Sequence, residues 1–312
     1  MAGLTRLRGR PAALGVLAAV AAGILAAVQA RVNSGLAGQL RDGLAAALVS
    51  NGSALLLVSM LLFRAGVRAG LRRAVRLRPW ELAGGACGAL YVTAQGVSVA
   101  GLGLAVFTVA VVTGQSAGAL LVDRAGLAPG GRLPLTRARL IGAALAVVAV
   151  AVAAAGRPRA GVPVALVLLA VLAGAGLAVQ GAVNGRVRQA AGAVAPAVLV
   201  NAVVGTAGLV LAFGGDVAVR GRPAGVLPAP WWFLGGVIGL VVIAIGVGVV
   251  RHTGALLLGL GLIAGQVLGA VAIDAVAPGP GGRPGLPVFL GAGLALVAVA
   301  TVLGSPPKTF RS

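Results

Sequence analysis

Four carboxamides stand in two pairs that read almost alike: Gln29 to Asn33 (QARVN) and Gln180 to Asn184 (QGAVN). Each pair ends an Ala/Val/Leu-rich run. At i,i+4 spacing both amides of a pair fall on one face of a helix. An amide donates and accepts without carrying a charge, so such a face can line a path for a hydrogen-bonding solute. The competing reading is glue between helices, worth only about 0.6 kcal/mol per contact. Gln115 and Gln266 lie nearer the middle of their apolar runs, each inside a Gly-x-x-x-Gly: Gly114–Gly118 (GQSAG) and Gly265–Gly269 (GQVLG). Glycines four apart let two helix backbones approach closely, and a Gln beside that seam faces either the seam or a cavity. With Thr93, these two glutamines are the candidates for a substrate cavity. Ser50 and Asn201 read as helix-packing polar residues.

The charged groups offer less. Asp123 and Asp274 each end an apolar run, where a carboxylate opposes the helix dipole. Either they are solvated at the interface or a cation compensates them, Arg124 for the first and a loop residue such as Arg283 for the second. Together with Gln29, Asn33, Gln180 and Asn184 they are the candidates for gating or for a polar path. Glu81, the only Glu, falls at the interface beside Trp80. His252, beside Arg251, reads as a solvated side chain. No His, Cys, Asp and Glu stand at metal-ligand spacing, and no nucleophile–base constellation or phosphate-binding loop is visible. The sequence therefore predicts neither an enzyme nor a cofactor, and its single cysteine, Cys87, cannot form an internal disulfide.

The elements that would hold these side chains are membrane helices. The chain is 59 % hydrophobic and 10 % charged, with a mean hydropathy of +1.07, too apolar for an ordinary soluble domain. Its apolar runs approach the ~20 residues that cross ~30 Å of hydrocarbon and lack the period-two alternation of a barrel strand. The formal charge of +20 comes from arginines lying between the runs, a distribution that follows the positive-inside rule and not nucleic-acid binding. Helices are expected at the N-terminal run ending near Asn33, at 43–63, 80–100, 104–122, 140–155, 162–181, 195–213, 231–250, 254–272 and 288–303. Arg64, Arg68 and Arg72 share a helical face in the second linker, so a short interfacial amphipathic helix competes there with a plain loop. With the N-terminus inside, 18 of the 25 Lys and Arg fall on cytoplasmic segments, which predicts ten spans with both termini cytoplasmic.

The chain also repeats itself. Shifted by 151 residues without a gap, Gln29 and Asn33 fall on Gln180 and Asn184, Trp80 on Trp231, and Gly84–Gly85 on Gly235–Gly236. The same shift places Gly114–Gln115 on Gly265–Gln266, Gly118 on Gly269 and Asp123 on Asp274. Such self-similarity marks a duplication, with halves at 1–156 and 157–312. Five helices per half is an odd number, so the halves must enter the membrane in opposite orientation, the inverted-repeat plan of secondary transporters. The predicted fold is an all-α integral membrane protein of ten transmembrane helices in two inverted five-helix repeats.

This pattern resembles the ten-helix drug/metabolite transporter superfamily. The QxxxN signature, the Trp…Gly-Gly opening of the third helix and the Gly-Gln…Asp run are similar to its YdcZ-type branch. The resemblance implies a carrier of the plasma (inner) membrane with a central cavity between the repeats, and names no substrate. The membrane-embedded Glu of the small multidrug-resistance relatives is absent. The second copy departs at Ala202 opposite Asn51 and at Ala195–Pro196 opposite Leu44–Ala45. The function expected is secondary transport of a small neutral or zwitterionic metabolite by alternating access, with the bilayer and that solute as partners and the oligomeric state open. A non-transporting scaffold or accessory subunit is the alternative, and an intramembrane enzyme ranks third.

Overall fold

The computed structural model describes residues 10–127, 131–132, 136–155, 163–226, 228–279 and 282–303, and among them all regular structure is helical. In order the helices are α1 (Arg10–Leu40), α2 (Gly43–Ser59), α3 (Ala65–Ala74), α4 (Pro79–Leu82), α5 (Gly84–Leu102) and α6 (Leu104–Ala125). There follow α7 (Arg137–Ala155), α8 (Val164–Ala191), α9 (Val194–Arg220), α10 (Leu234–Val276) and α11 (Leu286–Leu303). Six stretches among the described residues are long and apolar enough to cross a membrane, in α1, α2, α5, α6, α8 and α9. Four shorter apolar stretches are Leu140–Ala155, Pro230–Ile243, Gly261–Val276 and Leu286–Thr301.

Local sequence sets the boundaries. Asp42 starts α2 by accepting hydrogen bonds from the Leu44 and Ala45 amides at 2.7 and 2.9 Å, the usual work of an N-cap carboxylate. One residue, Gly103 at φ +75°, separates α5 from α6, a conformation that glycine adopts without a Cβ penalty. The linker after α2 does form a helix: α3 buries Val67, Gly70 and Ala74 and exposes Arg68, Arg72 and Arg73. Val75, which the sequence pattern puts on the apolar face, lies beyond the helix end and is exposed. The eighth and ninth expected helices, 231–250 and 254–272, fall within the single helical run of α10, entered through a 3-10 turn at Pro230–Phe233. The side chains of 246–260, His252 among them, lie outside the described residues.

The core centres on α6, whose residues from Leu104 to Gly114 are all buried, with Phe107 stacked on Tyr91 of α5 at 6.3 Å. Glycines hold the neighbouring helices close. On α6, Gly118 lies against Ala175 of α8, and Gly114 against Val171. On α10, Gly269 lies against Ile24 of α1, and Gly265 against Val20. A Cβ on Gly118 would stand 2.7 Å from the Ala175 Cα, and one on Gly269 3.1 Å from the Ile24 Cα. The two Gly-x-x-x-Gly segments are thus close helix crossings, as such spacing allows.

These contacts are exchanged between the halves. Gly84 and Gly88 of α5 meet Asn184 and Gln180 of α8, while Gly235 and Gly239 of α10 meet Asn33 and Gln29 of α1. Likewise Gly85 meets Asn201 and Gly205, while Gly236 meets Ser50 and Ala54. Each of these contacts between residue i and residue j has a counterpart between i+151 and j−151.

Candidate functional site

The two amide pairs occupy matching seams but not matching environments. On α1, Asn33 is fully buried, and its Nδ2 donates to the Gln95 Oε1 of α5 at 2.6 Å. Gln95 is fully buried too, one turn beyond Tyr91 on α5. The Tyr91 hydroxyl accepts from the Gln266 Nε2 of α10 at 3.1 Å. A chain of neutral polar groups thus runs from α1 through α5 to α10. Two of its atoms, the Asn33 Oδ1 and the Gln95 Nε2, are buried with no hydrogen-bond partner, as is the Gln115 Oε1 on α6. Among the described residues these three atoms have no protein partner, and each keeps its hydrogen-bonding capacity unused within the fold.

On α8 the second pair gathers on one acceptor. Gln180 Nε2 and Asn184 Nδ2 donate to the Asn201 Oδ1 of α9 at 2.8 and 3.0 Å. All three side chains are partly exposed, in contrast to Asn33 and Gln95. Asn201 therefore joins the site, and Ser50, its counterpart, is buried beside Gly235.

Gln115 and Gln266 do not meet. Each places its backbone amide against a glycine of the facing helix, Gln115 at Gly174 and Gln266 at Gly23, positions that again differ by 151. Thr93 is not beside either. At 100° per residue it lies about 180° around α5 from Tyr91 and Gln95, on the face with exposed Ala86, Leu90 and Val97. Gln29 packs its amide against Gly239. Gln95 and Tyr91 carry no repeat signal, because Gly246 and Val242 stand 151 residues on. Only their polarity inside an apolar run marks them.

The carboxylates correct the sequence reading. Asp274 is not a solvated interfacial residue: it is 3 % exposed, and its Oδ2 accepts from the Ala105 amide at 2.9 Å. That amide belongs to the first turn of α6, so a helix N-terminus supplies positive charge to this carboxylate. Asp123 is half-buried at the end of α6. Glu81, 8 % exposed, pairs with Arg186 of α8 (Oε1 to Nη1, 3.0 Å) and accepts from the Arg78 amide through Oε2 at 3.0 Å. The hydrogen bond from Arg186, then that from the Arg78 backbone, holds the Glu81 carboxyl below its ordinary value, against a smaller desolvation effect.

The described interior thus offers amides, hydroxyls and one tyrosine, with its acids held at helix ends. Such a surface can hydrogen-bond a solute and release it. A family model described as "Putative inner membrane exporter, YdcZ" matches the chain twice, over residues 14–152 and 165–303. The two matches are offset by the same 151 residues as the contacts. No curated protein matches the chain.

Proposed function

The chain belongs to this YdcZ family of drug/metabolite-transporter type, a multi-pass membrane transporter family, and from that premise we propose a transport mechanism. The protein is a secondary transporter that moves a small neutral or zwitterionic metabolite by alternating access between two inverted five-helix halves, 1–156 and 157–312. The observation that carries this reading is the exchange of contacts at the 151-residue offset around an interior of uncharged amides. Two-fold-related seams can swap conformations, so that one end opens as the other closes, around a fixed site near the middle.

The ten-span, inverted topology is supported by the register of the contacts. Along α1 from Gln29 to Asn33, the partner on α10 moves backwards from Gly239 to Gly235. From Val20 to Ile24 it moves forwards from Gly265 to Gly269. The first arm of α10 is therefore antiparallel to α1 and the second parallel to it. A straight helix would separate Gly239 from Gly269 by about 45 Å, yet both reach neighbouring turns of α1. Two spans joined by a hairpin, as α5 and α6 are joined at Gly103, satisfy the contacts. Counting them separately, and alternating direction from a cytoplasmic N-terminus, the eighth span opposes the first only when the halves are inverted.

Within this frame Gln115 and Gln266, each beside a seam, serve the substrate cavity. Gln29 with Asn33, and Gln180 with Asn184, line the approaches from opposite ends. The uncharged interior favours a solute without net charge, since an unpaired ion would meet no counter-charge there. Flux of radiolabelled neutral solutes into proteoliposomes holding only this protein tests the proposal. Absence of protein-dependent flux across a broad solute panel, with correctly folded protein, would refute it.

A further inference from the structure

The two-fold exchange extends to the ends of the helices, where the partners change chemical character. Glu81 and Arg186 are paired at 3.0 Å. Their counterparts are Trp232 and Gly35, which also touch: the six-membered ring of Trp232 fills the space that a Cβ on Gly35 would occupy. The same inter-half contact is therefore an ion pair at one end and an aromatic ring in a glycine notch at the other.

The surroundings are matched as well. Arg186 donates through Nε to the Leu127 carbonyl at 2.6 Å and through Nη2 to the Gly126 carbonyl at 2.9 Å. These are the free carbonyls after α6, natural acceptors for a cation. At the other end Arg31 donates to the Ala277 carbonyl at 2.7 Å, and Ala277 is the counterpart of Gly126. Each end therefore has an arginine clamped on the carbonyls that follow a central helix, one from α8 and one from α1. At the Arg186 end the carboxylate of Glu81 joins as well. Trp80 completes that end, its ring centroid 5.1 Å from the guanidinium, a cation–π distance.

We propose that Glu81 and Arg186 form the latch of one end of the transport path and Trp232 seated on Gly35 the latch of the other, so that breaking either favours opening of its own end and closure of the opposite one. The inference rests on the transporter reading. Two features suit the ion pair to repeated opening. Arg186 remains 28 % exposed, and the pair borders a cavity of about 350 Å³ with Leu77, Gly126 and Gln189, so a guanidinium released from Glu81 has water to enter. The ring on Gly35 opens by exposing apolar surface instead. The two ends then differ in what weakens them: salt and lost charge act at the first, loss of ring area at the second.

The chain supplies its own reporter. Cys87, the only cysteine, is half-buried two turns into the helix run that begins with Glu81's segment, facing Gly176 of α8, where a Cβ would stand 3.5 Å from its own. Opening of the Glu81 end separates α5 from α8 and uncovers it. The full chain in lipid nanodiscs is treated with a charged, membrane-impermeant maleimide and the labelling rate of Cys87 is measured with the melting temperature. Glu81→Gln and Arg186→Gln should each raise the rate roughly 1.5- to five-fold, the range a partly exposed ion pair sustains in a two-state equilibrium. Trp232→Ala, at the far end, should lower it. Glu81→Asp, which keeps the charge but shortens the reach, should fall between wild type and Glu81→Gln, and serves if the other variants fold poorly.

Unchanged labelling of the folded protein in the pair variants, with lower melting temperature alone, would make the pair a structural staple and overturn the proposal. So would a Trp232→Ala variant that labels faster, since both changes would then merely loosen the fold. Because labelling needs no substrate, opposite responses at the two ends without any solute flux would instead refute the transporter reading and leave the latches standing.

Discussion

Adding one methyl group at a helix crossing tests the seam geometry directly. In Gly118→Ala the new Cβ would stand 2.7 Å from the Ala175 Cα and 2.9 Å from its carbonyl oxygen. Unbonded carbons prefer about 3.5–4.0 Å, so α6 and α8 must part by roughly 1 Å. A gap of that size forfeits about a quarter to a half of the dispersion well for each facing atom pair, and overpacking of this kind costs about 1–3 kcal/mol. The obstruction is backbone, which cannot rotate away, so the upper part of that range applies. In a chain of this size it corresponds to a fall in Tm on the order of 3–5 °C. Gly181→Ala is the control: it sits in α8 with nothing within 4 Å of the added Cβ. There the substitution only narrows the unfolded ensemble and stabilises by about 0.4–1 kcal/mol. Thermal unfolding of both variants in one detergent gives the comparison. Equal shifts, or a larger loss in Gly181→Ala, would refute the close crossing.

Further predictions concern the polar groups. Gln266→Ala and Tyr91→Phe should be non-additive, with a coupling of about 0.6 kcal/mol in a double-mutant cycle, because they share the 3.1 Å hydrogen bond. Additive effects would separate them. Gln115→Ala should reduce solute flux while changing stability by less than ~1 kcal/mol, since water replaces a cavity hydrogen bond; unchanged flux would remove Gln115 from the cavity. Asp274→Ala should cost about 1–2 kcal/mol through loss of the cap on α6, measured by thermal unfolding against Asp216→Ala, which loses only an ion pair with the exposed Arg220 one turn on. Glu81, whose folded pKa lies below its ordinary value of 4.5, contributes stability that is fully present above that value. The contribution disappears as the pH falls through the depressed folded pKa. Tm measured from pH 7 downwards should show that loss, and Glu81→Gln should lack it.

The seams and the duplication were legible in the sequence because both are one-dimensional. Gly114, Gly118, Gly265 and Gly269 announce close approach by their spacing, and a fixed offset pairs every residue with its mate. What was not legible is what crosses the chain without a residue label. A partner of Asp274 is the backbone amide of Ala105, which no side-chain pattern can announce. Gln95 and Tyr91 were missed because the search for echoes passes over residues whose mates are Gly246 and Val242. Glu81 and Arg186 were hidden for a related reason: their mates, Trp232 and Gly35, are uncharged, so the repeat gave no sign of an ion pair. Thr93 stands apart from this cluster. Its polarity drew attention, while its angular position on α5 puts it on the face away from Tyr91.

The exchange of contacts also bears on how such a chain could have arisen. A two-fold interface lets a half-length ancestor assemble from two identical copies, each supplying both sides of every seam. In this chain that option has closed. Two copies of the first half would bring Glu81 against Gly35, leaving a carboxylate without a guanidinium, and Gly118 against Ile24 in place of Ala175. Two copies of the second would set Trp232 against Arg186, with the counter-charge gone. Within one chain each half has its partner covalently at hand, and at these positions the halves are complementary rather than alike. Neither can now serve as its own partner.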